Sequence, residues 1–146
     1  MSITIRTARM TDVETIFDVR TSVTGNHLSR EDLRQRGITE TVVADMIEKR
    51  LCAWVATGND KTIGFSMILP DEGSLFAAFV LPEYQGKGVG RRLVLLAEQE
   101  LFKHCEVAWL ETDKNSRAAK FYLQLGWGNK KMINGNDIKS EKHRSG

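Results

Sequence analysis

Apolar positions along the chain fall into two periods, and the switches between them mark the elements. Residues 2–9 alternate, with Ile3 and Ile5 on one side and polar neighbours on the other, which predicts a first strand with one buried face. Thr11-Asp12-Val13-Glu14 has the spacing of a capping box. It predicts a helix starting there that turns Val13, Ile16, Phe17 and Arg20 to one side. From Arg20 to Ser29 the apolar pattern stops. Ser29 then caps a short helix that Gly37 ends, and Thr39 caps another in which Val42, Val43, Met46 and Ile47 recur until Leu51. Two short helices joined by a polar loop could act as a lid over a site.

The period then shortens. Cys52–Ala56 and Thr62–Leu69 read as two strands of a hairpin closed at Gly58-Asn59-Asp60. Pro70-Asp71-Glu72-Gly73 turns the chain again, and Ser74–Leu81 is too apolar on both faces to be an edge strand. Leu93, Leu96, Ala97 and Leu101 return to helical spacing and stop near His104, and Val107–Glu111 reads as a buried strand. A helix with Asn115 as cap and Gly126 as stop follows. Asn134-Gly135 predicts a two-residue type I′ hairpin, with 143–146 as a frayed tail and Lys139, Lys142 and Arg144 on a solvated face. The order β, α, α, α, β, β, β, α, β, α, β, β mixes consecutive strands with crossovers, so the class is α+β with both pairing senses in one sheet.

Composition narrows the picture without deciding it. The chain has 146 residues, 41% hydrophobic and 27% charged, with no repeat, linker or second domain, so one domain over 1–146 is expected. No apolar run is long enough to span a bilayer and no signal pattern opens the chain, which sets the expectation of a cytoplasmic protein with no membrane partner. Cys52 and Cys105 read as reduced thiols rather than a disulfide, and no metal site is expected. A net charge of +2 is too small to argue for nucleic acid as a partner.

The chemistry concentrates between Val80 and Arg92, Val-Leu-Pro-Glu-Tyr-Gln-Gly-Lys-Gly-Val-Gly-Arg-Arg, where a strand stops and a glycine-rich turn opens a helix. The first amides of a helix have no internal partner and carry the positive end of its dipole. Glycines there let the backbone approach an anion, and Lys87, Arg91 and Arg92 add charge. A P-loop needs G-x-x-x-x-G-K-[ST] and a dinucleotide fingerprint needs a third glycine where Arg91 stands, so neither fits. What remains, Gln85-x-x-Gly88-x-Gly90 after a strand, resembles the [RQ]-x-x-G-x-[GA] motif of the GNAT (Gcn5-related) N-acetyltransferases. Asn115-x-x-Ala118-x-x-Phe121-Tyr122-x-x-x-Gly126-Trp127 is similar to that family's second signature, and the resemblance covers nearly the whole chain.

The resemblance implies a mostly antiparallel sheet of six to seven strands with helices on both faces, the fourth and fifth strands parallel and splayed. It implies an acetyl-CoA-dependent N-acetyltransferase passing acetyl directly to a primary amine, with a small molecule or peptide as acceptor. By the same likeness, Phe79, Val80 and Leu81 would hold the pantetheine arm, and Gln85, Gly86, Lys87, Gly88, Val89, Gly90 and Arg91 the pyrophosphate. The Val80 N–H would face the acyl oxygen, Asn115 the arm's amides, and Tyr122 would be the general acid. A phenol suits that role because its ordinary pKa of about 10 exceeds the thiol's of about 8.5.

The family's strand glutamate is missing from Ser74–Leu81, leaving Asp71, Glu72 and Glu111 as nearby carboxylates for the acceptor, with a water chain or an acceptor amine of lower pKa as the alternatives, while Arg20, Asn26 and His27 in the polar loop would bind an acidic group of the acceptor or form an ordinary surface loop. Trp54 reads as core. A homodimer through late strands is compatible with the family. The competing readings are an acyl-CoA-sensing module that regulates a protein partner without catalysis, favoured slightly by the absent glutamate and disfavoured by the intact Tyr122, and, more weakly, a transferase acting on RNA.

Overall fold

Asn59 and Asp60 both take left-handed φ, 53° and 61°, the pair a tight primed turn requires, and they fold β2 (Ala53–Gly58) back on β3 (Lys61–Leu69). The computed structural model describes residues 2–22 and 28–145. Around that hairpin, β1 (Thr4–Thr7) pairs with β2, and β3 pairs with β4 (Ser74–Val80). Beyond β4 come β5 (Val107–Asp113), β7 (Asp137–His143) and the edge strand β6 (Gly128–Met132). The seven strands run in the order β1-β2-β3-β4-β5-β7-β6, and every pairing is antiparallel except β4 with β5.

Helices cover both faces. Ser66 donates its hydroxyl to the Leu93 carbonyl at 3.0 Å, and Leu93 also crowds Gly64, so α4 (Val89–Leu101) lies on the face that Gly64 and Ser66 share. Side chains alternate along a strand. Phe65 and its cross-strand partner Phe79 therefore point to the other face, where α1 (Val13–Ser22), α2 (Arg30–Gln35) and α3 (Glu40–Lys49) pack and Arg20 of α1 lies over the Phe79 ring. The core joins Ile16, Phe17 and Val43 with Val55, Ile63 and Ile68, and with Leu93, Val94 and Leu101 beneath α4.

Several local expectations change. The first helical segment is capped not at Thr11 but at Arg9, two residues earlier: the Arg9 N–H donates to Asp12 Oδ2 at 2.7 Å, and Arg6 holds both oxygens of the same carboxylate at 2.7 and 2.9 Å. That hydrogen-bonded guanidinium holds Asp12 below the usual carboxylate range. At α5 (Arg117–Gln124) the cap is Ser116, whose hydroxyl accepts from the Ala119 N–H at 3.2 Å, while Asn115 stands one residue outside. Neither Asn134 nor Gly135 takes positive φ, so no type I′ turn forms. A four-residue connection joins β6 to β7, with Ile133 N–H on Asp137 O at 2.9 Å, and Lys114 N–H ties Asn136 O down at 2.9 Å.

The expected tail is not frayed at its start. His143 pairs with Val107 in β7, and the Arg144 N–H donates to Glu106 O at 2.8 Å. Lys142 is not on a solvated face either: its ammonium donates to Glu98 Oε1 at 2.6 Å and to the Leu125 carbonyl at 2.7 Å. Lys139 lies over the Trp109 ring, 4.9 Å from its centroid. Burial pushes the Cys52 thiol up to about 11, as suits a reduced core cysteine.

Candidate active site

The parallel seam between β4 and β5 is closed at one end only. Trp109 N–H donates to Gly73 O at 3.0 Å, the Trp109 indole donates to Glu72 O at 2.8 Å, and Ser74 pairs with Trp109. No further pair follows, so the strands diverge toward Val80 and Asp113. A cleft of about 720 Å³ opens between them, within the usual range for small-molecule sites. The outer half of β4 is only partly buried because it lines this gap. Its apolar character on both faces thus reflects one central strand with a hole beside it.

The backbone of β4 arms the gap. Leu81 N–H donates to Ile63 O at 2.8 Å, and amides alternate sides along an antiparallel ladder, so the Val80 amide faces away from β3 and into the split. Gly64 permits this register. A Cβ there would sit 2.9 Å from the Phe79 carbonyl oxygen, so only glycine lets β3 come this close.

At the mouth, the chain leaves β4 through a 3-10 turn at Pro82–Tyr84 and enters α4 with Gly88 as cap at φ 83°, in the left-handed region. No side chain caps this helix and no acidic residue lies in its first turn, so the amides of Val89, Gly90 and Arg91 have no partner within the helix. A Cβ on Gly86 or Gly88 would meet nothing within 4 Å, so the turn borders open space. Gln85 spans the mouth. Its amide donates to Val80 O at 3.3 Å and accepts from Arg117 at 3.0 Å, linking the end of β4 to the start of α5.

Tyr122 lines the cleft from α5, its ring edge-on to Phe121 and Trp127. Among the described residues every side-chain nitrogen or oxygen shut off from solvent has a hydrogen-bond partner. The Tyr122 hydroxyl has none and is therefore reached from the cleft. Burial, reinforced by the negative charge of Glu98, pushes its pKa well above the ordinary phenol value. The hydroxyl stays protonated through the neutral range.

The sequence-predicted residues divide as follows. Phe79, Val80, Gln85, Gly86, Gly88, Gly90, Arg91 and Tyr122 line the cleft, as do Arg20 and Glu111. Leu81 and Lys87 lie outside the lining, and Val89 turns inward beneath α4. Asn115 is exposed beyond it, its N–H on Asp113 Oδ1 at 2.8 Å, and Glu72 sits in the turn on the closed side of the seam. Asn26 and His27 lie outside the described residues. Arg36, Arg117 and Asp113 also line the cleft, and sequence reading did not single them out. Among the described residues no cluster of His, Cys, Asp and Glu could hold a metal, and no helix is long and apolar enough to cross a membrane.

The fold has close counterparts. PaiA N-acetyltransferase from Thermoplasma acidophilum, solved with coenzyme A, superposes with a TM-score of 0.78 at 23% identity, covering 99% of this chain and 100% of that one. The ribosomal-protein-S18-alanine N-acetyltransferase of Escherichia coli gives 0.71 at 24% identity, over 99% and 97% of the two chains. The yncA protein of Salmonella typhimurium, solved with acetyl-CoA, gives 0.76 at 17% identity, over 100% and 96%. At such identities the likeness speaks for the fold alone. No curated protein matches the sequence. The family model for the acetyltransferase (GNAT) family matches residues 12–127, and the chain belongs to that family.

Proposed function

We propose that this protein is an acetyl-CoA-dependent N-acetyltransferase acting directly on a primary amine, with Tyr122 as the general acid. The observation that carries the reading is the coincidence, across one split seam, of uncapped helix amides at the mouth and a buried phenol inside. The amides of Gly88–Arg91 would hold a pyrophosphate, with Arg91 and Arg117 adding charge. A pantetheine arm would run along the free edge of β4, where main-chain groups of Phe79–Leu81 are the nearest partners. The coenzyme complexes of PaiA and the yncA protein support this choice of ligand by fold likeness.

Acetyl-CoA would supply the acyl group as a thioester. The Val80 N–H would polarise the acyl oxygen, a contribution that costs about 10²- to 10³-fold in rate when such a donor is removed. The acceptor nitrogen forms the new N–C bond as the C–S bond breaks, and the Tyr122 hydroxyl gives its proton to the departing sulfur. The proton that the acceptor nitrogen loses on forming the amide would leave toward Glu111 through solvent, and the Tyr122 phenolate would take a proton back from solvent, so that a neutral amine and a thioester give an amide and a free thiol with no net proton change. Glu111 is suited by position. Ser74 shares the face of Phe65 and Met67 through its pairing with Leu69, and its pairing with Trp109 carries Trp109 and Glu111 to that same side. The donor would then enter from the α4 face and the acceptor from the α1 face.

Thiol release from acetyl-CoA, followed across a panel of primary amines, tests the reading. Turnover with at least one amine, lowered about 10²-fold or more in Tyr122→Phe with acetyl-CoA affinity retained, is the expected result. Tight acetyl-CoA binding with no turnover on any amine would instead favour a regulatory acyl-CoA sensor.

A further inference from the structure

The geometry points to an acceptor that carries a carboxylate beside its amine, an amino acid or an acidic peptide terminus, held by Arg20 and Arg36 on the α1 face of the cleft. This rests on the donor reading above and goes beyond it by naming the acceptor class. Arg20 stacks on Phe79 with its guanidinium carbon 4.3 Å from the ring centroid, so the aromatic fixes its plane at the wall of the cleft. Arg36 follows α2 and lines the same cavity.

Five arginines among the described residues are matched within the chain. Arg6, Arg30, Arg34, Arg50 and Arg144 each lie within ion-pair distance of a carboxylate. Among the described residues Arg36 has no such partner, and its charge is close enough to Arg20 to oppose it. Arg36, a guanidinium on the cleft wall with no carboxylate partner among the described residues, can take up an incoming carboxylate, and planar guanidinium forks fit that group in particular. Burial and the Arg36 charge both weaken proton binding at Arg20, the mark of a cation desolvated beside another cation. Glu111 lies on the same face from β5 and gives that side one negative wall. A carboxylate toward Arg20 and Arg36, with the amine toward Glu111, matches this polarity, whereas a diamine would place a second cation against the arginines.

The test uses the full-length protein with acetyl-CoA and matched acceptor pairs: glycine with glycinamide, lysine with cadaverine, and peptides beginning Asp or Glu with those beginning Asn or Gln. The free amino acids and the peptides separate a small-molecule acceptor from a polypeptide one. The carboxylate member of a pair should show kcat/KM about tenfold higher or more. Arg36→Gln should remove most of that ratio by raising KM, and Arg36→Glu should invert it, while acetyl-CoA affinity measured by calorimetry stays unchanged. Binding of the same compounds to the coenzyme A complex, followed by NMR, gives a readout independent of turnover. Equal use of both members of each pair, an equal loss for both in Arg36→Gln, or no turnover and no binding of any carboxylate compound would overturn the proposal and leave the donor reading standing. Loss of acetyl-CoA binding itself would mark failure of the donor reading.

Discussion

The Trp127 indole donates to Glu98 Oε2 at 3.1 Å in a buried corner where α4, the end of α5 and β7 meet. Lys142 holds the other carboxylate oxygen at 2.6 Å and the Leu125 carbonyl at 2.7 Å, so one acid joins three elements behind Tyr122. Glu98→Ala would strand the ammonium and the indole together. A loss of about 3 kcal/mol is expected, the low end for a broken buried pair because Lys142 keeps some contact with solvent. Replacing both Glu98 and Lys142 by apolar residues should cost less than the single change, as urea denaturation midpoints would record.

Alkaline stability follows from Tyr122. Its folded pKa is raised above the ordinary 10.0, so the folded state keeps its proton after the unfolded state has lost it. The resulting stabilisation is complete below pH 10 and is lost as pH rises above it, with a slope approaching about 1.4 kcal/mol per pH unit. Cys52, raised from 9.0 to about 11, adds a similar slope between those values. Unfolding measured from pH 8 to 11 should show a shallower decline in Tyr122→Phe than in the wild type, and shallower still when Cys52→Ala is added. Identical slopes in all three would contradict burial as the cause.

The cap of α5 separates two neighbours. Ser116→Ala removes the hydroxyl that accepts from Ala119 N–H and should cost about 1 kcal/mol, whereas Asn115→Ala should change stability by no more than about 0.5 kcal/mol. Thermal unfolding of both variants reads the difference directly. Equal losses would mean that Asn115 shares the cap.

Gly64→Ala probes the register of the seam. Its Cβ would meet the Phe79 carbonyl at 2.9 Å and the Leu93 side chain at 3.2 Å, and the carbonyl cannot rotate away. A loss of about 1–3 kcal/mol is expected, with amide shifts concentrated in β3 and β4 around Phe79 and Val80. An unperturbed β4 would mean that the strand does not depend on this close approach.

The legible parts of this chain were those governed by local rules. Ser29, Thr39, Gly37 and Gly126 stop or start helices where their side chains or φ values require it, and the Gly58–Asp60 turn fixes its hairpin. The uncapped glycine turn before α4 was visible because its composition opposes ordinary helix chemistry. Features set by tertiary pairing were hidden. Arg9 rather than Thr11 begins the first helix because Arg6, across the turn, orients Asp12. Lys142 resembled surface until β7 placed it over Glu98, and Asn134-Gly135 gave way to a longer loop anchored by Lys114. Arg36 carried no signal in the sequence, and only the packing of α2 beside the seam brings it to Arg20.

Amide NMR of the labelled protein titrated with coenzyme A tests most directly whether the start of α4 grips a diphosphate. The largest shifts should fall on Gly86, Gly88, Val89, Gly90 and Arg91, with Val80 following, and coenzyme A cut back to pantetheine should leave the α4 amides unmoved. Coenzyme binding with those amides unmoved, or with the main shifts elsewhere, would contradict the account.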